Sequence, residues 1–146
     1  MTKTLINTIK IRIRFSEVDS LKVVWHGHYL KYFEDGREAF GRQYGIGYMD
    51  FFANGIIVPL VHVELNFKKF LKCGEEAIIE TRFIDTKAAK IKYAYTIFNN
   101  KMEIVATGKS IQAFLDKEGE LMLCAPQFFI DWKKKWGITN CLGKQK

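Results

Sequence analysis

The residues Phe15-Ser16-Glu17-Val18-Asp19-Ser20-Leu21-Lys22-Val23-Val24-Trp25-His26-Gly27-His28-Tyr29 set a carboxylate and two imidazoles between a strand-like run and a helical one. Gly27 or His28 would cap the helix that follows, leaving its first backbone N–H groups unpaired. A helix end of this kind favours negative charge. A carbonyl oxygen resting there would be polarised, and an oxyanion formed from it stabilised. Asp19 could then attack an acyl carbon or activate a water. The chemistry on offer is acyl transfer or hydrolysis at a helix N-terminus. A turn-forming aspartate beside two space-filling histidines accounts for the same spacing.

Other chemistry-bearing residues are weaker candidates. Glu34 falls about one turn inside the helix, where a catalytic role competes with a structural hydrogen bond or ion pair. His26, His28 and His62 lack cysteine partners and a HExxH helix, so no metal site is expected. His62 alternates with the apolar face of its strand and reads as a sheet-surface residue. Neither GxGxxG nor GxxxxGK[ST] occurs, which removes support for dinucleotide or nucleoside-triphosphate binding. Lys68, Lys69, Lys72, Lys87 and Lys90 sit beside predicted strand ends, where each could meet phosphates or simply face solvent.

The elements that must position these residues follow from hydrophobic period. Lys10 to Phe15 alternates strictly and predicts a strand. Tyr29, Tyr32, Phe33, Gly36, Phe40 and Tyr44 then fall at helical spacing, with Gly45 as the stop. Gly36 and Gly41 each cost the helix about 1 kcal/mol relative to alanine, which is tolerable if its backbone lies against a sheet. Four more strands are read around Val61–Phe67, Ala77–Phe83, Ile91–Ile97 and Glu103–Leu115, with Gly108 as a bend or bulge. Short turn-rich connections, including Lys72-Cys73-Gly74, predict that successive strands pair antiparallel. Tyr48 to Phe52 would line a pocket or cover the core. Pro126 opens a last short helix whose apolar side is Phe128, Phe129, Trp132 and Trp136. Lys133 to Lys135 fall in its last turn, where cations suit the helix dipole. The order predicts an α+β fold: a five-stranded antiparallel sheet wrapped around one long helix.

Composition bounds the rest. The 146 residues suit one domain, read as 1–146 with a basic tail about 137–146. The net charge of +7 is unevenly placed: Met1–Arg14 and Asp131–Lys146 each carry +4, while Phe15–Ile130 carries −1. A nucleic-acid binder carries its basic stripe on the folded face, so this distribution argues against one. Cys73, Cys124 and Cys141 are odd in number and form no CxxC, which suits a reducing compartment. With neither a signal-peptide core nor a membrane-length apolar run, a soluble cytoplasmic protein is expected.

The Asp19 segment resembles the signature of hot-dog-fold acyl-CoA thioesterases of the 4-hydroxybenzoyl-CoA thioesterase type, in particular the bacterial acyl-CoA thioesterase subgroup. Asp19, His26, Tyr29 and Tyr32-Phe33-Glu34 carry the resemblance. Phe67-Lys68-Lys69-Phe70 with Gly74-Glu75 and Ala113-Phe114-Leu115-Asp116 extend it over roughly Ile9 to Trp132. The resemblance implies hydrolysis of an acyl-CoA to free acid and CoA, with Asp19 as nucleophile or general base. His26 would hold substrate or orient Asp19 and water. Backbone N–H groups around His28 and Tyr29 would polarise the thioester carbonyl, and Lys68, Lys69 and Lys90 would meet coenzyme A. No cofactor is implied beyond the coenzyme A of the substrate. A homodimer or homotetramer is implied, with acyl-CoA or acyl carrier protein as substrate. Three positions depart from the pattern: Lys22 replaces a usual Gly and predicts another loop shape, His28 replaces Asn or Ser, and Phe15 replaces Tyr. The first two leave open a non-catalytic module that binds acyl-CoA or acyl carrier protein.

Overall fold

The computed structural model describes residues 4–138. Its strands are β1 (Ile6–Arg12), β2 (Leu60–Phe67), β3 (Glu76–Ile84), β4 (Lys90–Asn99) and β5 (Ile104–Ala113). Its helices are α1 (His28–Tyr44), α2 (Tyr48–Ala53) and α3 (Gln127–Lys135), with one 3-10 turn at Phe15–Glu17. The strands form one antiparallel sheet in the order β1-β3-β4-β5-β2, and α1 lies across β1, β3 and β4. The first strand runs earlier than its alternation predicts, because Phe15 leaves the sheet to begin the 3-10 turn.

Alternation decides which faces are buried. Ala77, Ile79, Thr81 and Phe83 of β3 and Ile91, Tyr93, Tyr95 and Ile97 of β4 all point into the core under α1. The edge strand β2 does not follow this pattern: Val61 is 57% and Phe67 50% exposed. Two sequence expectations are corrected here. Lys72-Cys73-Gly74 is no hairpin turn, since β2 pairs with β5 and its connection to β3 crosses from one side of the sheet to another. Gly108 is no bulge either; the register shifts fall at Leu60/His62 and Ile97/Phe98. A side chain at Gly108 would collide with the Phe33 ring and with the Glu64 carbonyl, 2.6 Å away. The glycine is there for close approach.

The same contact logic governs α1. Phe33 stacks on Tyr95 with ring centroids 4.3 Å apart, and Gly36 lets the helix settle on Thr81 and Ile79. Gly41 serves a different neighbour from the predicted sheet: it packs on the backbone of Gly47, where the chain turns into α2. Gly45 closes the helix in the left-handed conformation, at φ 74°. The indole N–H groups of Trp132 and Trp136 both donate to the Tyr44 carbonyl, at 2.7 and 3.1 Å, capping α1 with α3.

Lys133 does more than suit a dipole. It is 2% exposed, ion-paired to Asp85 at 2.5 Å, and lies over the Phe129 ring. Ile138 is buried too, so the first residues of the expected basic tail are packed; Cys141, Lys144, Lys146 and the rest of that tail lie outside the described residues. Among the described residues no helix is long and apolar enough to cross a membrane.

Two stability outcomes follow. Gly36→Ala should destabilise in urea melts despite gaining about 1 kcal/mol of helix propensity, because overpacking against Thr81 and Ile79 costs about 1–3 kcal/mol. Lys133→Met should lower stability in the same melts by removing the buried cation that faces the Asp85 carboxylate, and adding Asp85→Asn should recover part of that loss.

Candidate active site

Asp19 sits in a two-stranded turn immediately ahead of α1. Val18 and Val24 form an antiparallel bridge; inside it the Asp19 N–H donates to the Val23 carbonyl and the Lys22 N–H to the Asp19 carbonyl, both at 2.9 Å. The Asp19 side chain is half-buried, and one carboxylate oxygen accepts the Leu21 N–H at 2.8 Å. Its second oxygen has no partner among the described residues. Lys22 takes φ 69°, a left-handed conformation that glycine adopts without penalty. The loop therefore keeps a glycine-type turn with a lysine in it, and the different loop shape expected from Lys22 is not required.

The turn is fixed from two sides. Val23 bridges Lys72, and the Val24 N–H donates to the Leu71 carbonyl at 2.8 Å, which ties the turn to the crossing connection. On the other side the Glu17 carboxylate accepts the Arg14 N–H at 2.8 Å and the Tyr32 hydroxyl at 3.1 Å. The Trp25 N–H donates to the Glu17 carbonyl at 3.0 Å. Burial and the neighbouring Glu17 charge hold the Tyr32 hydroxyl well above the ordinary phenol range, so it remains a donor. Sequence reasoning missed Glu17 and read Tyr32 as part of an apolar stripe and of the resembling Tyr32-Phe33-Glu34 run, with no partner assigned to its hydroxyl. The Glu17 to Tyr32 pairing closes over fifteen residues and has no local signature.

The imidazoles flank Trp25. His26 is exposed with its ring centroid 4.9 Å from that of Trp25, and His28 meets the indole edge-on at 5.6 Å. Trp25 folds over Gly27, where any side chain would run into the indole. The Nδ1 of His28 is enclosed without a hydrogen-bond partner. The donors expected to be free are engaged: the His28 N–H donates to the Trp25 carbonyl at 2.9 Å and the Tyr29 N–H to the His26 carbonyl at 3.3 Å. The tight turn at 26–27 supplies those carbonyls, which the helix-start pattern alone does not reveal. The Tyr29 ring itself is a core residue, raised above the ordinary phenol range by burial.

The candidate lysines divide. Lys68 and Lys69 both donate backbone N–H groups to the Val105 carbonyl, at the end of the sheet where Ala77 meets Asn99. Lys72 bridges Val23 there, so these three share the end that carries Asp19. Lys90 pairs with Ala113 at the opposite end, about 30 Å away along a ten-residue strand. The structure does not bring Lys90 to Asp19, because β4 runs the full length of the sheet between them.

A cavity of about 300 Å³ lies elsewhere, between α1, α2 and the β2 side of the sheet. Glu34, Arg37, Tyr48, Leu60 and Gln112 border it, and Asp19 does not. The Tyr48–Phe52 segment thus does both jobs foreseen for it: Tyr48 lines the cavity while Phe51 is buried and also faces it.

The family model of the thioesterase-like superfamily matches residues 13–135. The chain belongs to that superfamily. Its architecture is the hot-dog fold of this superfamily's thioesterases, as the sequence resemblance implied. YneP of Bacillus subtilis, named as a candidate acyl-CoA thioesterase, is 32% identical over 123 residues, spanning 84% of this chain and 89% of that protein. A 1,4-dihydroxy-2-naphthoyl-CoA hydrolase of Thermosynechococcus vestitus is 26% identical over 113 residues, covering 75% and 76% of the two chains. Among solved structures, a DHNA-CoA thioesterase from Staphylococcus aureus superposes with a TM-score of 0.82 at 26% identity over 97% of both chains. A thioesterase of this superfamily with Lys22 in a left-handed turn carries avoidable strain. Lys22→Gly should raise stability by roughly 0.5–1 kcal/mol in chemical denaturation.

Proposed function

We propose that this thioester hydrolase cleaves acyl-CoA to free acid and coenzyme A, with Asp19 as the catalytic carboxylate. One observation carries the reading: a half-buried carboxylate, pinned by one oxygen and free at the other, stands in a rigid turn at the start of the long helix. A carboxylate so held either attacks the thioester carbonyl carbon or removes a proton from an attacking water. Negative charge developing on the carbonyl oxygen is favoured by the positive end of α1. His28 and Tyr29 would contribute through the dipole of that first turn, since their own N–H groups are committed locally. His26, exposed beside Trp25, would hold substrate or orient water. Lys68, Lys69 and Lys72 lie at the Asp19 end and suit the phosphates of coenzyme A. A carboxylate and a helix dipole suffice for this hydrolysis, so the reading includes no resident metal or cofactor, and a cytoplasmic setting where acyl-CoA is made and used. The names of the relatives support the substrate class.

The reading also includes a homodimer through β2. That edge strand is exposed along its length, with an unpaired backbone ladder and exposed Leu60, Val61 and Phe67. An edge left open in this way invites pairing with another strand. In a two-fold antiparallel pairing of β2 with its copy, the Phe67 end of one strand meets the Leu60 end of the other. Each copy's Asp19 end then comes beside the other's cavity.

A second reading, a non-catalytic module binding acyl-CoA or acyl carrier protein, is favoured by the committed N–H groups of His28 and Tyr29. Free-thiol release from a panel of acyl-CoA and acyl-carrier-protein thioesters separates the two. The wild type should turn over acyl-CoA, and Asp19→Asn should lose on the order of 10²–10⁴-fold in kcat. Binding of several thioesters with hydrolysis of none would favour the module; equal turnover by both proteins would remove Asp19 from the mechanism.

A further inference from the structure

The two nitrogens of the His28 imidazole stand in different surroundings. Nδ1 is enclosed and meets no hydrogen-bond partner, whereas Nε2 is the nitrogen left open to solvent. A neutral imidazole carries one proton, so one nitrogen donates and the other accepts. An enclosed N–H without an acceptor is rarer in folded proteins than an acceptor left short of donors. The proton therefore resides on Nε2, and His28 presents a donor outward.

That donor is held in place by its neighbours. The His28 ring meets the Trp25 indole edge-on, with ring centroids 5.6 Å apart. The indole is itself seated over Gly27, where a Cβ would run into its ring. The Trp25 N–H donates to the Glu17 carbonyl at 3.0 Å, the next rung beyond the Val18–Val24 bridge. The hydrogen bond from Asp19 to Val23 is the rung on the other side of that bridge. Asp19 and the residue that orients His28 thus belong to one short ladder. His26 lies against the same indole with its ring exposed, and lacks this enclosure. The main chain offers no equivalent donor, because the N–H groups of His28 and Tyr29 are spent on the Trp25 and His26 carbonyls.

We propose that the His28 side chain, through Nε2–H, is the hydrogen-bond donor to the thioester carbonyl oxygen, taking the place of main-chain donors at the start of α1. The inference rests on the hydrolase reading above and adds a catalytic residue to it. Attack on the carbonyl carbon, by Asp19 or by a water that Asp19 deprotonates, moves the C=O π pair onto oxygen. Nε2–H holds that oxygen and keeps its own proton. The pair re-forms the C=O bond as the C–S bond breaks, and coenzyme A leaves as the thiolate. A donor whose ring is already oriented needs no rearrangement as the charge forms, which is the condition under which such a bond lowers the barrier.

His28→Phe keeps an aromatic ring beside Trp25 and removes the donor, whereas His28→Gln keeps an N–H. In free-thiol release, His28→Phe should lose about ten- to a thousandfold in kcat with little change in KM. His28→Gln should recover part of that loss. No loss in His28→Phe, or an equal loss in both variants, would overturn the inference and leave the hydrolase reading intact.

A second readout needs no turnover. Bound to Asp19→Asn, octanoyl-CoA or benzoyl-CoA labelled with ¹³C at the carbonyl should show its carbonyl stretch at lower frequency than in solution. Adding His28→Phe should return the band to its solution value; a shift that survives this change places the donor elsewhere and sinks the proposal. The ¹⁵N resonances of His28, assigned by their absence in His28→Phe, should report the proton on Nε2, and a proton on Nδ1 removes the donor outright. If the wild type cleaves no thioester, the hydrolase reading fails, while the carbonyl band and its dependence on His28 still decide the contact.

Discussion

The closeness of α1 to the sheet is the constraint on which the rest of the structure depends. A helix bearing Tyr29, Tyr32, Phe33 and Phe40 on one face would ordinarily stand well off a β-sheet; here glycine at 36 on the helix and at 108 on β5 removes the side chains that would hold it away. Phe33 then fills the space over Gly108 and stacks on Tyr95. The two glycines give up some backbone stability in isolation, about 1 kcal/mol each, and the aromatic burial they permit outweighs it. From this seam come the enclosed Tyr95–Ser110 hydroxyl pair, the orientation of Arg37, which donates to the Tyr95 hydroxyl, and the position of the helix start beside Asp19.

The seam also explains how the chemistry is divided. α1 covers β1, β3 and β4 and leaves the β2 side of the sheet to the cavity and the open edge. Asp19, the carboxylate of the proposed reading, stands at one end of the sheet and the cavity lies towards the other, so that reading divides the site between two parts of one copy. Pairing of edges is the economical way to bring them together, because it satisfies an exposed backbone ladder at the same time.

Much of this was legible in the sequence, for reasons of period. Strands β3 and β4 show clean alternation because one face is buried by α1, and α1 shows a single apolar stripe because it meets one sheet. The motif around Asp19 was legible because its residues are close in the chain. Pairing order was not: nothing local to Lys72-Cys73-Gly74 distinguishes a hairpin from a connection that crosses the sheet. Lys90 was grouped with Lys68 and Lys69 because all three flank strands, although strand direction sends them to opposite ends. Gly108 was recognised as special, but its reason lies in Phe33, seventy-five positions away. The Arg37–Tyr95–Ser110 chain spans three elements, and no spacing rule reports it.

The bridge between Val23 and Lys72 has a further consequence. It makes the turn that carries Asp19 a short extra strand stapled to a connection that is itself anchored at Leu71, one of the most enclosed residues of the core. A carboxylate on a free loop would have to be immobilised at every encounter with substrate, and that ordering entropy would be subtracted from each binding event. Here the ordering is completed once, when the chain folds, and on the proposed reading it falls on folding stability rather than on the barrier of the reaction.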